Sequence, residues 1–392
     1  MNKQINILQF GEGNFLRGFI DWGINNLQDE NNAIAVASPI KSNFIIDLLK
    51  KQNGKYSVLI EGLENGKEVQ RLDVVNVLKE CLNAYTDFSR LIEIAESEEL
   101  KVILSNTTEA GIAYDETDRY ERVPEGTFPA KLTVLLHKRF LKNSLPVEII
   151  PCELIDKNGA TLRKVILQYA KLWNLEPEFS SFVQKCHFYN TLVDRIVPGY
   201  PKEQADEVNR KLDFEDNLIV KAEPFAFMGI EGVDQTLDNA GNLAIEYILP
   251  FSKLGLGAIY TDNLTPYRER KVHLLNAPHT AMSMLGLPNG KETVLEMVVE
   301  EPFASKIKTL MLEEIAPKID LPKEELEIFA NQVLDRFKNP FNRHELASIA
   351  LNEQSKYEVR LLPIIQRYLE NGEKVPAVLS EVAEIAKKRW EV

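Results

Sequence analysis

At 392 residues the chain exceeds the ~250 to 300 residues at which a single hydrophobic core stops growing, so two domains are expected. Hydrophobic residues at 44% and charged residues at 27% are ordinary for a globular chain and exclude a disordered or low-complexity one. A formal charge of −13 argues against nucleic acid or an anionic membrane surface as a partner, because both are held by clustered Lys and Arg.

The opening MNKQINILQF carries neither the apolar core of a signal peptide nor the Arg-rich pattern of a transit peptide. No apolar run nears the ~20 residues of a membrane span, so a cytoplasmic protein is expected. Strand-like runs at 5–10, 33–38, 56–61 and 101–106 alternate with amphipathic helical patterns from Phe15 to Leu27 and from Phe88 to Ala95. That is the sequence form of a parallel sheet covered by helices. A strand at 147–154 and a helix from Thr161 to Trp173 continue the alternation. Polar connections around short strands, such as one at 217–222, fill the region 200–250, and the last strand is expected at 257–262. From Tyr267 onward the pattern is helical, including Glu292–Glu300, Phe303–Glu314, Lys323–Phe337 and Ala377–Trp390. The fold class is therefore α/β over 1–262, followed by a mainly helical domain over 263–392. Cys81, Cys152 and Cys186 are too widely spaced for a disulfide framework and form no CxxC pair, so they read as small buried hydrophobes.

Directly after the first strand comes Gly11-Glu12-Gly13-Asn14-Phe15-Leu16-Arg17-Gly18, a glycine turn opening a helix. Gly11 permits a tight turn, Gly13 lets a pyrophosphate approach the backbone, and the helix start offers N–H groups. The third glycine position of the G-x-G-x-x-G pattern holds Leu16, and the second strand ends Ala37-Ser38-Pro39, without the acidic residue that usually holds the adenosine ribose. An ordinary glycine turn remains compatible with these residues. The fourth strand ends in Ser105-Asn106-Thr107-Thr108-Glu109-Ala110-Gly111, a polar cluster at the carboxyl edge of the sheet, where ligands of open α/β sheets bind.

The start of the helical region reads Tyr267-Arg268-Glu269-Arg270-Lys271-Val272-His273-Leu274-Leu275-Asn276-Ala277-Pro278-His279. On a straight helix at about 100° per residue, Lys271, Asn276 and His279 share an arc of about 140°, with His273 opposite. One face then presents an amine, an amide and an imidazole, although on spacing alone a surface lysine, a capping asparagine and a core histidine are the commoner reading. Pro278 removes an N–H and disfavours helical geometry at Ala277, so a kink that re-aims His279 is expected.

The spacing K-x4-N-x2-H resembles the signature of the polyol-specific long-chain dehydrogenases, the mannitol dehydrogenase family, and within it the tagaturonate reductase (altronate oxidoreductase) branch. Further blocks carry the resemblance over most of the chain: Gln9 to Arg17, Ser105 to Gly111, Pro151 to Asp156, Leu192 to Val197, Pro266 to Lys271 and Arg336 to Pro340. It implies a Rossmann-like N-terminal domain and a helical C-terminal domain that use NAD and no metal; among the five histidines and three cysteines no zinc-ligand spacing occurs. By position it implies Lys271 as general acid and base, Asn276 as oxyanion donor, His279 as substrate contact and Asp194 as a further polar contact. Gly11, Gly13, Asn14, Phe15, Thr108 and Glu109 would meet the dinucleotide. For the oxidation direction Lys271 would have to be neutral, with Arg268 or Arg270 as a cation that lowers its affinity for a proton.

Where mannitol-oxidising members resemble C-D-N, this chain has Cys152-Glu153-Leu154, and an Arg and an Asp of that branch fall on Ser348 and His344. These departures favour a sugar acid, with Lys356 and Arg360 as candidate partners of its carboxylate. The implied reaction is the interconversion of D-tagaturonate and D-altronate, the partner a small-molecule sugar acid. Fructuronate reductase, mannitol dehydrogenase and polyol-phosphate dehydrogenase are the alternatives within the family, and a catalytically inactive dinucleotide-binding sensor is the alternative from another class. The sequence stops after Lys387-Lys388-Arg389-Trp390, where the reductases it resembles are expected to continue.

Overall fold

A computed structural model describes residues 4–29, 31–108 and 111–390. In chain order the strands are β1 (Ile7–Phe10), β2 (Ile34–Ser38), β3 (Tyr56–Glu64), β4 (Lys67–Val75), β5 (Leu78–Asn83), β6 (Val102–Ser105), β7 (Glu148–Pro151), β8 (His187–Asp194), β9 (Val220–Ala222), β10 (Phe227–Gly232) and β11 (Ala258–Tyr260). One sheet has the order β11-β10-β8-β7-β6-β1-β2-β5, and a smaller one the order β4-β3-β9. In the large sheet β8 and β10 pair antiparallel, whereas β1, β2, β5, β6, β7 and β8 are joined by parallel pairings.

Side-chain alternation explains why these strands read as unbroken apolar runs. Leu8, Phe10, Ala35, Ala37 and Ile103 enter one core, while Ile7, Ile34, Val36, Val102 and Leu104 enter another on the opposite face. A parallel sheet buried on both faces has no solvent side to mark with polar residues. The β3–β4 hairpin behaves differently: β4 (KEVQRLDVV) is largely exposed, so it carries charges and little apolar signal.

Two compact units result. The first holds the residues up to Ile60, Arg71–Ala222 and Ala226–Leu264; the second holds Glu61–Gln70, Glu223–Phe225 and Thr265 onward. The second unit has its own core of Leu, Met, Ile, Val and Phe side chains from successive helices. Its helix Val294–Val299 begins with a capping box, in which the Thr293 hydroxyl takes the Glu296 N–H and the Glu296 carboxylate takes the Thr293 N–H. The helix Lys323–Phe337 and the helix Ala377–Trp390 have the expected limits. Among the described residues no helix is long and apolar enough to cross a membrane.

The helical run after β1 consists of Asn14–Leu16, a π-helical stretch Arg17–Asp21, and Trp22–Asn26. It lies tightly on the smaller sheet, since a Cβ on Gly18 would come within 2.9 Å of Val220 Cγ1. Gly18 thus does the close-packing work expected of the glycine that Leu16 replaces. Beneath this run, fully buried Asp21 accepts the Tyr56 hydroxyl at 3.2 Å, and Gln9 Nε2 lies 3.4 Å from the same oxygen. Among the described residues the second Asp21 oxygen and the Gln9 amide oxygen have no hydrogen-bond partner. Burial pushes the Asp21 carboxyl up to about 7, against the pull of Tyr56, Gln9 and the Arg17 charge.

The folded chain therefore holds a proton on Asp21 that the unfolded chain, with an ordinary value of 3.8, releases. Stability from this group is full below about pH 4 and is lost as pH rises toward about 7. Asp21→Asn removes the titration and supplies a donor where an oxygen lacks one. Its melting temperature should exceed the wild-type value at pH 8, with the gap shrinking by pH 5. Thermal melts at both values check this, and a gap independent of pH would show that Asp21 ionises at little cost.

Candidate active site

The first cluster of expected residues lies along the carboxyl edge of the large sheet. Gly11 is bonded through its N–H to Ala37 O at 3.0 Å and has φ +113, and a Cβ there would stand 2.6 Å from the Asn106 carbonyl oxygen. Only glycine satisfies both conditions. Gly13 is different: it is extended (φ −66, ψ 166), exposed, and a Cβ on it would meet nothing within 4 Å. Gly11 thus sets the turn, and Gly13 faces open space at the start of the helix, the room a pyrophosphate needs. The Asn14 side chain accepts Arg17 Nη2 at 2.7 Å, and Arg17 also donates to the carbonyls of Glu12 and Leu218, at 3.0 and 2.5 Å. Phe15 is half-buried, its ring 5.0 Å from that of Phe19.

At the end of β6, Ser105 Oγ, Thr107 N–H and Thr107 Oγ1 all donate to the Glu153 carboxylate, at 3.1, 3.0 and 2.9 Å. Burial raises the Glu153 carboxyl, and these donors pull it back. Glu153 is the organiser of this loop, a part its place in the sequence did not reveal. Thr108 follows at φ +78, a left-handed conformation that strains a β-branched residue. Glu109 lies outside the described residues. Leu154 is 60% exposed, an apolar side chain left in the open at this edge. Asp194 closes β8 and is buried.

The second cluster is built on the helix after Leu264. Thr265–Arg270 is α-helical, Lys271–Asn276 is π-helical, and Ala277–Gly286 is α-helical again. The arc expected for a straight helix therefore needs correction. In the π stretch the Ala277 N–H bonds to Val272 O, five residues back, and this wider turn brings Lys271 and Asn276 closer to one face than an α-helix does. The expected break at Ala277 also does not occur, for Ala277 is helical at φ −66, ψ −45. Pro278 falls in the first turn of the next α-helical stretch, where a missing N–H is tolerated.

Lys271 and Asn276 are half-buried and His279 is buried. The His279 ring lies 4.5 Å from that of Phe337 and 4.7 Å from that of His344. Burial first, then the charges of His344, Arg336 and Arg360, hold the imidazole well below the ordinary histidine value, so it is neutral. One ring N–H goes to the Leu275 carbonyl, which leaves the other nitrogen an acceptor. His273, on the other side, gives its Nδ1 to Arg360 O at 2.7 Å. Arg360 Nη1 reaches Thr280 Oγ1 at 3.2 Å and Asn276 O at 3.4 Å, tying its own helix (Glu353–Arg360) to the one that carries Asn276 and His279. Lys356, one turn before, donates to Ile349 O at 2.7 Å. Among the described residues neither Lys356 nor Arg360 forms an ion pair. Burial, then Arg360, lowers Lys356, and burial lowers Arg360. Arg270, considered as a cation beside Lys271, is paired with Glu325 at 2.5 Å and stacked 4.3 Å from the Phe329 ring.

With this geometry in hand, comparison with known proteins is decisive. The mannitol dehydrogenase Rossmann domain matches residues 5–244, and the mannitol dehydrogenase C-terminal domain matches residues 263–388. The chain belongs to the mannitol dehydrogenase family. As a mannitol dehydrogenase family member it is an oxidoreductase acting on CH–OH groups. It is 41% identical over 378 residues to the altronate oxidoreductase of Bacteroides thetaiotaomicron, a match covering 94% of this chain and 77% of the relative. To the altronate oxidoreductase of Bacillus subtilis it is also 41% identical, over 94% of this chain and 76% of the relative. Among solved structures, a substrate-free D-sorbitol dehydrogenase superposes with a TM-score of 0.83 at 21% identity, covering 99% of this chain and 80% of that one. A mannitol 2-dehydrogenase of Pseudomonas fluorescens, solved with NAD and D-mannitol, superposes with a TM-score of 0.71 at 21% identity, covering 99% and 79%. These likenesses show that the fold is shared.

The contrast between the two glycines gives a test of the dinucleotide turn. Gly13→Val should melt like the wild type, because its backbone and surroundings accept a side chain. It should nevertheless lose most dinucleotide affinity, read by fluorescence titration, while unchanged binding would remove the turn from the site.

Proposed function

We propose that this chain interconverts D-tagaturonate and D-altronate with NAD as its dinucleotide. The observation that carries this reading is the pair Lys356 and Arg360. In a chain of net charge −13 they stand one helical turn apart, Arg360 against the Asn276 carbonyl and the Thr280 hydroxyl and Lys356 on the Ile349 carbonyl, with no ion-pair partner among the described residues. Their lowered proton affinities say that an anion there would be welcome, and a substrate carboxylate is such an anion. Relatives about 40% identical named altronate oxidoreductase support the same substrate. The open space over Gly13 at the helix start fits a dinucleotide pyrophosphate.

The dinucleotide, when bound, supplies or accepts the hydride. In reduction hydride adds to the carbonyl carbon and Lys271 donates a proton to the carbonyl oxygen as it becomes alkoxide, while the Asn276 amide N–H donates to the same oxygen, stabilising charge as it develops. In oxidation Lys271 takes that proton back as a neutral amine. Neutral His279 accepts a hydrogen bond from a substrate hydroxyl and so orients the chain of the sugar acid. Lys356 and Arg360 hold the carboxylate at its far end. A panel of keto sugar acids and neutral ketoses, assayed by NADH oxidation, tests the substrate class directly.

Two variants separate the roles. Lys271→Ala should keep the wild-type melting temperature and NADH affinity, yet lose on the order of 10²- to 10⁴-fold in kcat, as expected for a positioned acid–base group. The rise of kcat with pH in altronate oxidation should vanish with it. Turnover within a few-fold of wild type would remove Lys271 from the chemistry. Lys356→Met keeps the length and apolar stem of the side chain. It should raise KM for altronate by about tenfold, the worth of one partly solvated charged contact, with a smaller effect on any neutral polyol that turns over. Equal changes for both substrates would count against a carboxylate at this position.

A further inference from the structure

Rossmann folds usually hold the adenosine ribose with an acidic side chain at the end of the second strand, and here that strand ends in Ser38. A carboxyl is nevertheless present at this position, delivered from the glycine turn. Glu12, between Gly11 and Gly13, reaches across from the end of β1 to the end of β2, where its Oε1 accepts the Ser38 hydroxyl at 2.8 Å. The register makes this possible, since Phe10 lies opposite Ala37 and the Gly11 N–H bonds Ala37 O. Glu12 is 8% exposed. Burial raises its carboxyl, opposed by Ser38, its own N–H and the charge of Arg17. Arg17 is itself committed to the Glu12 and Leu218 carbonyls and to Asn14. Two lysines flank Tyr85 in the same domain. Lys41 is exposed, with its Nζ 5.6 Å from the ring; Lys131 is buried, 4.1 Å from the ring, and donates to the Gly126 carbonyl.

A buried carboxyl costs desolvation, and a glycine turn does not require one. We infer that Glu12 is the residue that selects a dinucleotide whose adenosine ribose carries a free 2′-hydroxyl. This rests on the proposal that the turn binds a dinucleotide. A ribose hydroxyl donates to the Glu12 carboxylate beside the Ser38 hydroxyl. A 2′-phosphate brings two negative charges against it in a poorly solvated place, and like charges so placed repel strongly. The discriminating group thus sits inside the phosphate-binding turn, whereas the pattern read from the sequence looks for it on the following strand.

The test is equilibrium binding of NADH and NADPH, followed by nicotinamide fluorescence, with wild type, Glu12→Gln and Glu12→Ala. Wild type should bind NADH on the order of 10²-fold more tightly than NADPH. Glu12→Gln keeps the volume and an acceptor for Ser38, so it should melt normally, hold NADH within a few-fold, and bring NADPH to within about tenfold of it. Glu12→Ala should weaken NADH by about tenfold and abolish most of the discrimination. On the wild type alone, NADH lacking the 2′-hydroxyl should bind about tenfold less tightly than NADH itself. A ratio unchanged in both variants, a wild type that prefers NADPH, or indifference to the 2′-hydroxyl would each overturn the role of Glu12. A wild type that binds neither dinucleotide would overturn the turn assignment itself, an outcome distinct from the others.

Discussion

The absence of a side chain at Gly11 is the constraint from which the carboxyl edge of the sheet is laid out. With φ +113 and the Asn106 carbonyl 2.6 Å from where a Cβ would stand, the chain leaves β1 along a path closed to any other L-residue. That path puts the next residues within reach of two neighbouring strands: Glu12 at the end of β2 and Asn106 at the end of β6. β6 is joined in turn to β7 through Asn106 Nδ2 and Cys152 O at 3.1 Å, and through Glu153 to Ser105 and Thr107. A short series of local contacts thus fixes four strand ends against one another. The strain at Thr108 sits just beyond the Ser105 and Thr107 contacts to Glu153.

In the helical unit the equivalent organiser is Arg360. Its guanidinium bonds the Asn276 carbonyl and the Thr280 hydroxyl, while its own carbonyl takes the His273 ring. One residue therefore clamps the Lys271–Gly286 helical run on two sides and leaves a cation beside it. The same neighbourhood keeps His279 neutral, because a protonated imidazole would join Arg336, Arg360 and His344 in a space poor in water. Arg336 is the exception to this uncompensated charge, being paired with Glu223 at 2.9 Å. Arg360 thus stands as a cation next to the Asn276 carbonyl and near His279 in a chain of net negative charge.

Much of this was legible in the sequence, and the failures have physical causes. β1, β2, β6 and β7 stood out because burial on both faces leaves nothing but apolar residues. β4 did not, because it is an exposed strand whose charges hide its period. β5 is half-buried, and Lys79 and Glu80 after Leu78 interrupt its apolar run. The resemblance, more than the spacing, singles out Lys271, Asn276 and His279, but the arc expected for them belongs to a straight α-helix, and nothing in KVHLLN announces a π stretch. Pro278 suggested a kink because its effect was judged against an α-helix, and in the structure it sits where one helical pattern gives way to another. The sequence pattern looks for a ribose carboxylate at the end of the second strand, where Ser38 stands; only the pairing of β1 with β2 shows that Glu12, the second residue of the glycine turn, reaches that same place.

The π stretch at Lys271–Asn276 has a consequence for how this segment can change over time. Such a stretch is in effect an α-helix with one residue added, accommodated without breaking the helix. Deleting any single residue between Lys271 and Asn276 would let the run relax to a regular helix. Everything before the deletion would then rotate by about 100° and shift by about 1.5 Å relative to everything after it. Lys271 would turn away from Asn276 and His279 although all three remained in place in the sequence. The facing of Lys271 toward Asn276 and His279 thus depends on the length of this segment as much as on the identity of the three residues.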